Sequence, residues 1–260
     1  MRRLLVKADD YGFTEAISLG ILKAFRCGLV RSTAVMVNMP DAASSVRWLV
    51  QQPGLCVGLH VNVVIGRPCA DLSEVGGLID DHGQFHSSAY CRTALGAGQD
   101  PIPDLRQARC EVEAQIRRFI HLTGHRPEYL EGHAIRSPHL LQAMAELAVE
   151  YDLPHLSYLD DGSYRIREIP HRSAPVYDFY PRSIRPQEYF THDLGGILNY
   201  DLSLVTMHPG YLDDAIYRMS SFTRVRTQDL EALTHPDTLK WVDDHQIQLI
   251  SFRDLTEFRR

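Results

Sequence analysis

The first twelve residues, MRRLLVKADDYG, place an apolar run directly before two adjacent carboxylates and a glycine. The nearly continuous apolar run over residues 4–8 is typical of a strand that helices cover, as in a parallel sheet. Asp9 and Asp10 follow where that strand ends, at the edge of the sheet where α/β enzymes place their reacting groups. An Asp-Asp-x-Gly turn or a helix N-cap is the alternative interpretation.

Strand and helix patterns alternate along the 260 residues of the chain. Strands are predicted at residues 32–37, 55–64, 128–133, 153–159, 202–208 and 246–252. Helices are predicted at residues 14–27, 41–52, 105–123, 137–151 and 227–244. Repeated β-then-α units predict an α/β fold with a parallel sheet, closed or nearly closed into a TIM-like β/α barrel. Residues 1–260 then form a single catalytic domain, with a long insertion of weak periodicity at about 66–104.

The composition excludes several classes of function. The formal net charge is −6 and no run of Lys or Arg exceeds a pair, so no nucleic-acid partner is expected. No apolar stretch reaches about 18 residues, so no membrane span is expected, and the apolar run after residues 1–3 is too short for a signal peptide. The 5 cysteines are scattered without a C-x-x-C pair, which predicts reduced thiols in a cytoplasmic enzyme.

Four of the predicted strands finish in acidic, amide or imidazole side chains. These residues are Asp9, Asp10, His60, Asn62, Glu131, His133 and His208. In a β/α barrel the carboxyl ends of all strands converge on one mouth, so residues far apart in sequence become neighbours. Carboxylate and imidazole are the ligands of a divalent ion that keeps open positions for water. Each histidine alone is weak evidence, and it is the convergence of His60, His133 and His208 that indicates a site.

The motifs at these strand ends resemble, as a set, those of the YdjC-like carbohydrate deacetylase family. The matching segments are residues 8–12 (ADDYG), 58–62 (GLHVN), 66–68 (GRP), 80–85 (DDHGQF), 131–133 (EGH), 208–211 (HPGY), 226–230 (RTQDL) and 249–255 (LISFRDL). The family includes chitooligosaccharide deacetylases and has a distorted β/α barrel related to the NodB-type polysaccharide deacetylases. The resemblance runs from residue 3 to about residue 255.

The resemblance implies hydrolysis of an N-acetyl group from an amino sugar, with one divalent metal ion held by the aspartate pair, His60 and His133. Mg²⁺ or Zn²⁺ is the expected ion, with Mn²⁺ and Co²⁺ as alternatives. The chain departs from the family at residues 131 and 134–136, where Glu131 replaces an aspartate and Ala-Ile-Arg stands in place of further histidines or polar residues. The sugar contacts in that corner are therefore expected to differ from those of chitooligosaccharide deacetylases.

Amide hydrolysis needs a carboxylate that takes a proton from water and an acid that protonates the departing amine. We assign Asp10 to the metal, Asp9 to the general base and His208 to the general acid, although the two aspartates could exchange roles. The alternative for His208 is a hydrogen-bonded structural histidine below the Pro209-Gly210 turn. Neighbouring residues of a strand point to opposite faces, so both aspartates reach one mouth only if the strand bulges or breaks there. Supporting or substrate-binding roles are expected for Asn62, Glu131, Arg226 and Tyr211.

Other interpretations stay open at this level. A metal-dependent hydrolase or isomerase of another small substrate fits the same barrel, because a fold does not fix a reaction. A non-catalytic sugar-binding protein is disfavoured, since binding alone seldom needs two adjacent carboxylates and three strand-end histidines. We expect a small carbohydrate as substrate, and we expect residues 66–104 to cover the mouth and to contribute sugar contacts or an interface within a homo-oligomer.

Overall fold

The structure is a computed structural model, and it describes residues 1–158, 164–166, 169–171, 178–179 and 184–255. Its strands, in chain order, are β1 (Arg3–Tyr11), β2 (Ser32–Val35), β3 (Cys56–Val61), β4 (Leu130–Gly132), β5 (Ser157–Tyr158), β6 (Tyr164–Ile166), β7 (Ile169–His171), β8 (Leu202–Met207) and β9 (Gln248–Ile250). β1 is buried over all but its first residue. Such burial is expected of a central strand in a parallel sheet.

The parallel sheet runs in the order β4-β3-β2-β1-β8, and β9 pairs with the first residues of β1. Beyond β4, the Leu130 N–H donates to the Pro154 carbonyl at 2.8 Å and the Leu156 N–H donates to the Leu130 carbonyl at 3.0 Å. Part of the predicted strand at 153–159 thus extends the sheet, although residue 159 lies outside the described residues. β5, β6 and β7 form a small antiparallel sheet. The predicted α/β fold with a parallel sheet is confirmed, and closure into a barrel stays a prediction.

The helices are α1 (Glu15–Cys27), α2 (Ala42–Val46), α3 (Ser88–Gly96), α4 (Leu105–Thr123), α5 (Pro138–Glu150), α6 (Glu188–Thr191), α7 (Asp214–Met219), α8 (Arg224–Thr234) and α9 (Pro236–Asp244). The Thr14 hydroxyl accepts a hydrogen bond from the Ile17 N–H and caps α1, and the Ser137 hydroxyl caps α5 ahead of Pro138. α1 packs on β1, α4 on β3 and α5 on β4. These helices cover the parallel sheet with their apolar faces.

Three sequence predictions about regular structure need correction. The helix predicted at 41–52 is the short α2, Ala42–Val46, followed by a 3₁₀ turn at Leu49–Gln51. The single helix predicted at 227–244 is two helices, α8 and α9, which meet at His235. Pro236 causes the break, because proline has no N–H to donate and its ring clashes with the preceding turn. The weakly periodic segment 66–104, for which no helix was predicted, contains α3. The Ser87 hydroxyl caps this helix and accepts a hydrogen bond from the Tyr90 N–H. That residues 66–104 are an insertion, and that residues 1–260 form a single domain, stay predictions.

No helix in the part of the chain that the structure describes combines the length and the apolar character needed to span a bilayer. All five cysteines carry free thiols.

Candidate active site

The polar end of β1 is built around a break in the strand at Asp10. The pairing of β1 with β2 shifts register between Ala8 and Tyr11, and Asp10 has a φ of 73°. This left-handed backbone conformation is uncommon for a residue with a Cβ, and it turns the chain away from the strand direction. The break lets Asp9 and Asp10 reach the same cavity, which confirms the irregularity predicted from the sequence.

Asp10, His60 and His133 bring three possible metal-ligand atoms together at this edge. Asp10 Oδ1 lies 3.3 Å from His60 Nε2 and 3.1 Å from His133 Nδ1, and those two ring nitrogens are 3.1 Å apart. Asp10 and His60 are buried, and Asp10 Oδ1 has no hydrogen-bond donor among the described residues. A buried, unpartnered carboxylate oxygen beside two imidazole nitrogens fits a divalent metal ion.

Arg226, from α8, holds the other oxygen of Asp10. Its Nη2 donates to Asp10 Oδ2 at 2.8 Å, and its Nε donates to the Phe222 carbonyl at 2.8 Å. Burial alone would raise the pKa of Asp10, but the Arg226 charge and the contacts with His133 and His60 outweigh it and hold the pKa well below its usual value. Asp10 therefore stays ionised, as a metal-ligating carboxylate must.

A second polar chain runs behind His60. In the β3–β4 pairing His60 stands opposite Glu131, and His60 Nδ1 lies 3.4 Å from Glu131 Oε1. Lys7 Nζ lies 2.5 Å from Glu131 Oε2 and 2.5 Å from Asp9 Oδ1. Gly58 allows this strand to approach its neighbour, because a Cβ there would come within 2.6 Å of the Tyr129 ring. We call Lys7, Asp9, Asp10, His60, Glu131 and His133 the strand-end cluster.

The electrostatics of the strand-end cluster favour a cation. Burial would lower the pKa of His60, yet the charge of Asp9 and contacts with Asp10 and Glu131 raise it to about 10. The carboxylates around His60 thus stabilise a positive charge close to its imidazole, and a divalent ion bound beside the ring would supply such a charge. Burial and the charge of Glu131 raise the pKa of Asp9 against the opposing effect of Lys7. Of the two aspartates, Asp9 is therefore the one that holds a proton more strongly.

His208 follows β8 and lies beside Asp9 in the cavity lining. Ala8 pairs with Met207, so Asp9 and His208 are the next residues along two neighbouring strands. His208 Nε2 lies 3.9 Å from Asp9 Oδ2, and the His208 backbone N–H donates to Asp229 Oδ2 at 2.6 Å. Burial lowers the pKa of His208 to about 4, although Asp10 and Asp9 act in the opposite direction. The imidazole is therefore neutral at neutral pH before a reaction starts.

These groups open into a cavity of about 780 Å³. Its lining includes Asp9, Asp10, His60, His133, His208 and Arg226 at one end. The segment 66–104 supplies a side of the cavity that we call the outer wall; its residues are Gly66, Gln84, Phe85, Ser87, Ser88 and Arg92. The volume lies in the usual range for small-molecule sites. Part of the segment 66–104 therefore lines the same cavity as the strand-end cluster.

Three of the predicted residues do not line the cavity: Asn62, Tyr211 and Glu131, which lies behind His60. Asn62 is buried, and its Nδ2 donates to Asn38 Oδ1 at 2.9 Å and to the Ile65 carbonyl at 2.8 Å. These bonds hold the chain that leaves β3. Tyr211 lies beyond the Pro209-Gly210 turn with an exposed side chain, and its backbone N–H donates to the Ala16 carbonyl at 3.2 Å.

Sequence reasoning missed Lys7 and Asp229. Lys7 stands in an otherwise apolar strand, where it reads as an interruption of the apolar run. Its position two residues before Asp9 was the available signal, because residues i and i+2 of a strand share a face. Asp229 lies in α8, is buried and accepts from the His208 N–H. The resemblance of residues 226–230 to the family pattern was the available signal, but it assigned no role to Asp229.

Comparison with known sequences gives consistent matches over nearly the whole chain. A family model described as YdjC-like protein matches residues 3–244. A protein of Clostridium beijerinckii named carbohydrate deacetylase is 30% identical, over 97% of this chain and 100% of its own length. Carbohydrate deacetylase 2 of Listeria innocua is 28% identical, over 97% of this chain and 98% of its own length.

Solved structures support the fold. A protein of Enterococcus faecalis V583, provisionally described as a cellobiose-phosphate cleavage protein, superposes with a TM-score of 0.83 at 22% identity and covers 98% of both chains. The peptidoglycan deacetylase PdaC of Bacillus subtilis superposes with a TM-score of 0.52 at 12% identity, over 99% of this chain and 91% of its own. At these identities the likeness concerns the fold alone.

Proposed function

This chain belongs to the YdjC-like protein family, and on that premise we propose that it is a metal-dependent carbohydrate deacetylase. The reaction is hydrolysis of the N-acetyl group of an amino sugar or a short N-acetylated oligosaccharide, with release of acetate. The observation that carries the proposal is the convergence of Asp10, His60 and His133, with Asp9 and His208 alongside, at one end of a cavity of about 780 Å³. Relatives named carbohydrate deacetylase supply the class of substrate.

Asp10, His60 and His133 would hold the ion through Oδ1, Nε2 and Nδ1. Two imidazoles and one carboxylate suit Zn²⁺ and tolerate Mg²⁺, with Mn²⁺ and Co²⁺ as further candidates. When bound, such an ion lowers the pKa of a water and polarises the acetamide carbonyl. Arg226 keeps Asp10 ionised through its 2.8 Å contact with Oδ2 and so leaves Oδ1 for the ion. Glu131 orients the His60 ring from behind.

Asp9 is the general base and Asp10 the ligand, since the pKa of Asp9 is raised whereas the pKa of Asp10 is lowered. A site that separates the pKa values of two carboxylates assigns them separate roles. The Lys7 ammonium donates a hydrogen bond to Asp9 Oδ1, so Asp9 Oδ2 is the oxygen that takes the proton from water.

His208 is the general acid. Because its imidazole is neutral in the resting site, it must gain a proton during the reaction before it protonates the leaving amine. Asp9 Oδ2, 3.9 Å from His208 Nε2, is a source of that proton once Asp9 has accepted it. Such distances commonly shorten when a substrate is bound.

The substrate lies in the cavity between the strand-end cluster and the outer wall. Hydroxyl groups of Ser87 and Ser88 offer hydrogen bonds to sugar hydroxyls, and the Phe85 ring offers an apolar surface. Asn62 and Tyr211 have no part in this arrangement. A cytoplasmic location accords with the free thiols of the five cysteines.

Acetate release from N-acetylglucosamine and its short oligomers, measured with Mg²⁺, Mn²⁺, Co²⁺ or Zn²⁺ added to chelator-treated protein, tests the proposal. The expected result is stoichiometric acetate and free amine with at least one of these ions. Turnover of another small substrate without acetate would favour a different metal-dependent hydrolase or isomerase on the same fold. Sugar binding without turnover under all four ions would favour a non-catalytic sugar-binding protein.

A further inference from the structure

Lys7 places a positive charge between two buried carboxylates of the strand-end cluster. Its Nζ lies 2.5 Å from Asp9 Oδ1 and 2.5 Å from Glu131 Oε2, and its side chain has no exposure to solvent. β2 and β3 separate β1 from β4 in the sheet, so this lysine reaches a strand with which its own strand does not pair. Buried lysines are rare without such pairing, which sets Lys7 apart from the surface lysines of the chain.

The two carboxylates that Lys7 contacts belong to a second group of possible metal-ligand atoms. Atoms of Asp9, His60 and Glu131 lie within 4.8 Å of one another, and this group shares His60 with the group of Asp10 and His133. Glu131 Oε1 and His60 Nδ1 are buried and lie 3.4 Å from each other, and neither has a further hydrogen-bond partner among the described residues. Two carboxylates and an imidazole nitrogen are donors suited to a divalent ion. His60 would serve such an ion through Nδ1, which faces Glu131, while its Nε2 faces Asp10.

The charges in the strand-end cluster explain why this second group holds an ammonium. Asp9 and Glu131 are both buried, and two unpaired carboxylates in that position would repel one another and lack solvation. The Lys7 ammonium contacts both carboxylates and reduces their repulsion, without competing for the ligand atoms of Asp10 or His133. It also leaves Asp9 Oδ2 directed toward His208.

We propose that the ammonium of Lys7 takes the place of a second metal ion between Asp9 and Glu131, and thereby limits the centre to one ion. Lys7 is a specificity-determining residue for metal number, and its effect on the reaction is exerted by positioning Asp9 and Glu131. The inference rests on the proposed function only for the ion at Asp10, His60 and His133.

Metal stoichiometry in Lys7 variants tests this inference. Lys7→Met removes the charge with little change in side-chain length, and Lys7→Arg is the matched control that keeps the charge. Each full-length protein is dialysed against Mn²⁺, and the bound Mn²⁺ per chain is measured by elemental analysis together with its electron paramagnetic resonance spectrum. Lys7→Met is expected to hold one ion more than the wild type and Lys7→Arg, with a spectrum of two coupled ions. Adding Glu131→Gln to Lys7→Met should remove the extra ion.

The inference is overturned if Lys7→Met holds no more Mn²⁺ than the wild type up to millimolar Mn²⁺. It is equally overturned if the wild type itself binds a second ion that Glu131→Gln removes, and this measurement needs no Lys7 variant to fold. Lys7→Gln replaces Lys7→Met if the methionine variant does not fold, with the same expected gain of one ion. Because the readout is a difference in ion number, it is independent of whether the wild type releases acetate.

Discussion

The strand-end cluster and the outer wall are two sides of one cavity, and they are built in different ways. In the cluster, Asp10 and Glu131 are buried, and their partners come from other strands or from α8. In the outer wall, Ser87 and Arg92 are exposed, and their hydrogen bonds are local: Ser87 caps α3, and Arg92 donates to the Ser88 hydroxyl at 3.0 Å. On the proposed function, the reacting groups lie in the buried part, where a change disturbs several partners, whereas the proposed sugar contacts lie in the exposed part, where a change disturbs few.

The largest effect is expected in the cluster, on removal of both imidazoles. The His60→Ala, His133→Ala double variant should bind little metal and lose nearly all activity, because only Asp10 of the three proposed ligands remains. Bound metal per chain and acetate release, measured on the same preparation, check this prediction. The matched control is His139→Ala, which alters a histidine outside the cavity lining. Full metal occupancy in the double variant would show that the ion lies elsewhere.

Next in size is Asp9→Asn, which should keep the metal and lose the base. The expected fall in kcat is roughly 10²–10⁴-fold, the usual contribution of one acid–base group. Asp10→Asn is the control, and it should lower metal affinity as well as kcat. If Asp9→Asn lost metal and Asp10→Asn kept it, the two aspartates would have the exchanged roles that the sequence left open.

A smaller effect is expected in the outer wall. Ser88→Ala should raise KM for the sugar by about 2–10-fold, which corresponds to one net hydrogen bond of about 0.5–1.5 kcal/mol. kcat and metal content should change little, because Ser88 contacts no residue of the strand-end cluster by any hydrogen bond seen in the described residues. Ser73→Ala, in the same segment but outside the cavity lining, is the control and should leave KM unchanged. A large fall in kcat with unchanged KM would remove the distinction between the two regions.

The smallest effect concerns stability beside the cluster. His155 pairs with Leu130 next to Glu131, and burial lowers its pKa to about 4. Between about pH 4 and 6.5 the unfolded chain binds a proton that the folded chain does not, so this residue makes the free energy of unfolding rise with pH. Urea denaturation at pH 5 and pH 7 should show a weaker pH dependence for His155→Gln than for the wild type. An unchanged dependence would mean that His155 is not held neutral.

The parts of this site that sequence could predict are those fixed by strand order and strand ends. Asp10, His60 and His133 were predicted together because parallel strands share their carboxyl edge. Lys7 could not be found in the same way, since its partner Glu131 is 124 residues distant and no local pattern links them. Asn62 also follows a strand, but its side chain donates hydrogen bonds to Asn38 and to the Ile65 carbonyl instead of lining the cavity. These bonds depend on the conformation of the loop after β3, which no periodic pattern in the sequence predicts.

Among regular elements, the helix capped by Ser137 and opened by Pro138 was predicted because cap chemistry is local. The prediction of one helix over residues 227–244 was wrong, although the information that contradicts it is also local. The helical periodicity continues across Pro236, but a proline at that position ends the preceding helix. α3 was not predicted because its apolar periodicity is weak. Cys91 is the one residue of this helix that is buried.

The most direct test of the account is to restore metal to chelator-treated protein in measured steps and to follow acetate release at each step. If one ion at Asp10, His60 and His133 is essential, the metal-free protein releases no acetate above background, and the rate rises in proportion to added ion until one ion per chain is bound. The His60→Ala, His133→Ala variant then shows no restoration. Acetate release at the full rate by protein shown to be free of metal would contradict the metal dependence of the reaction.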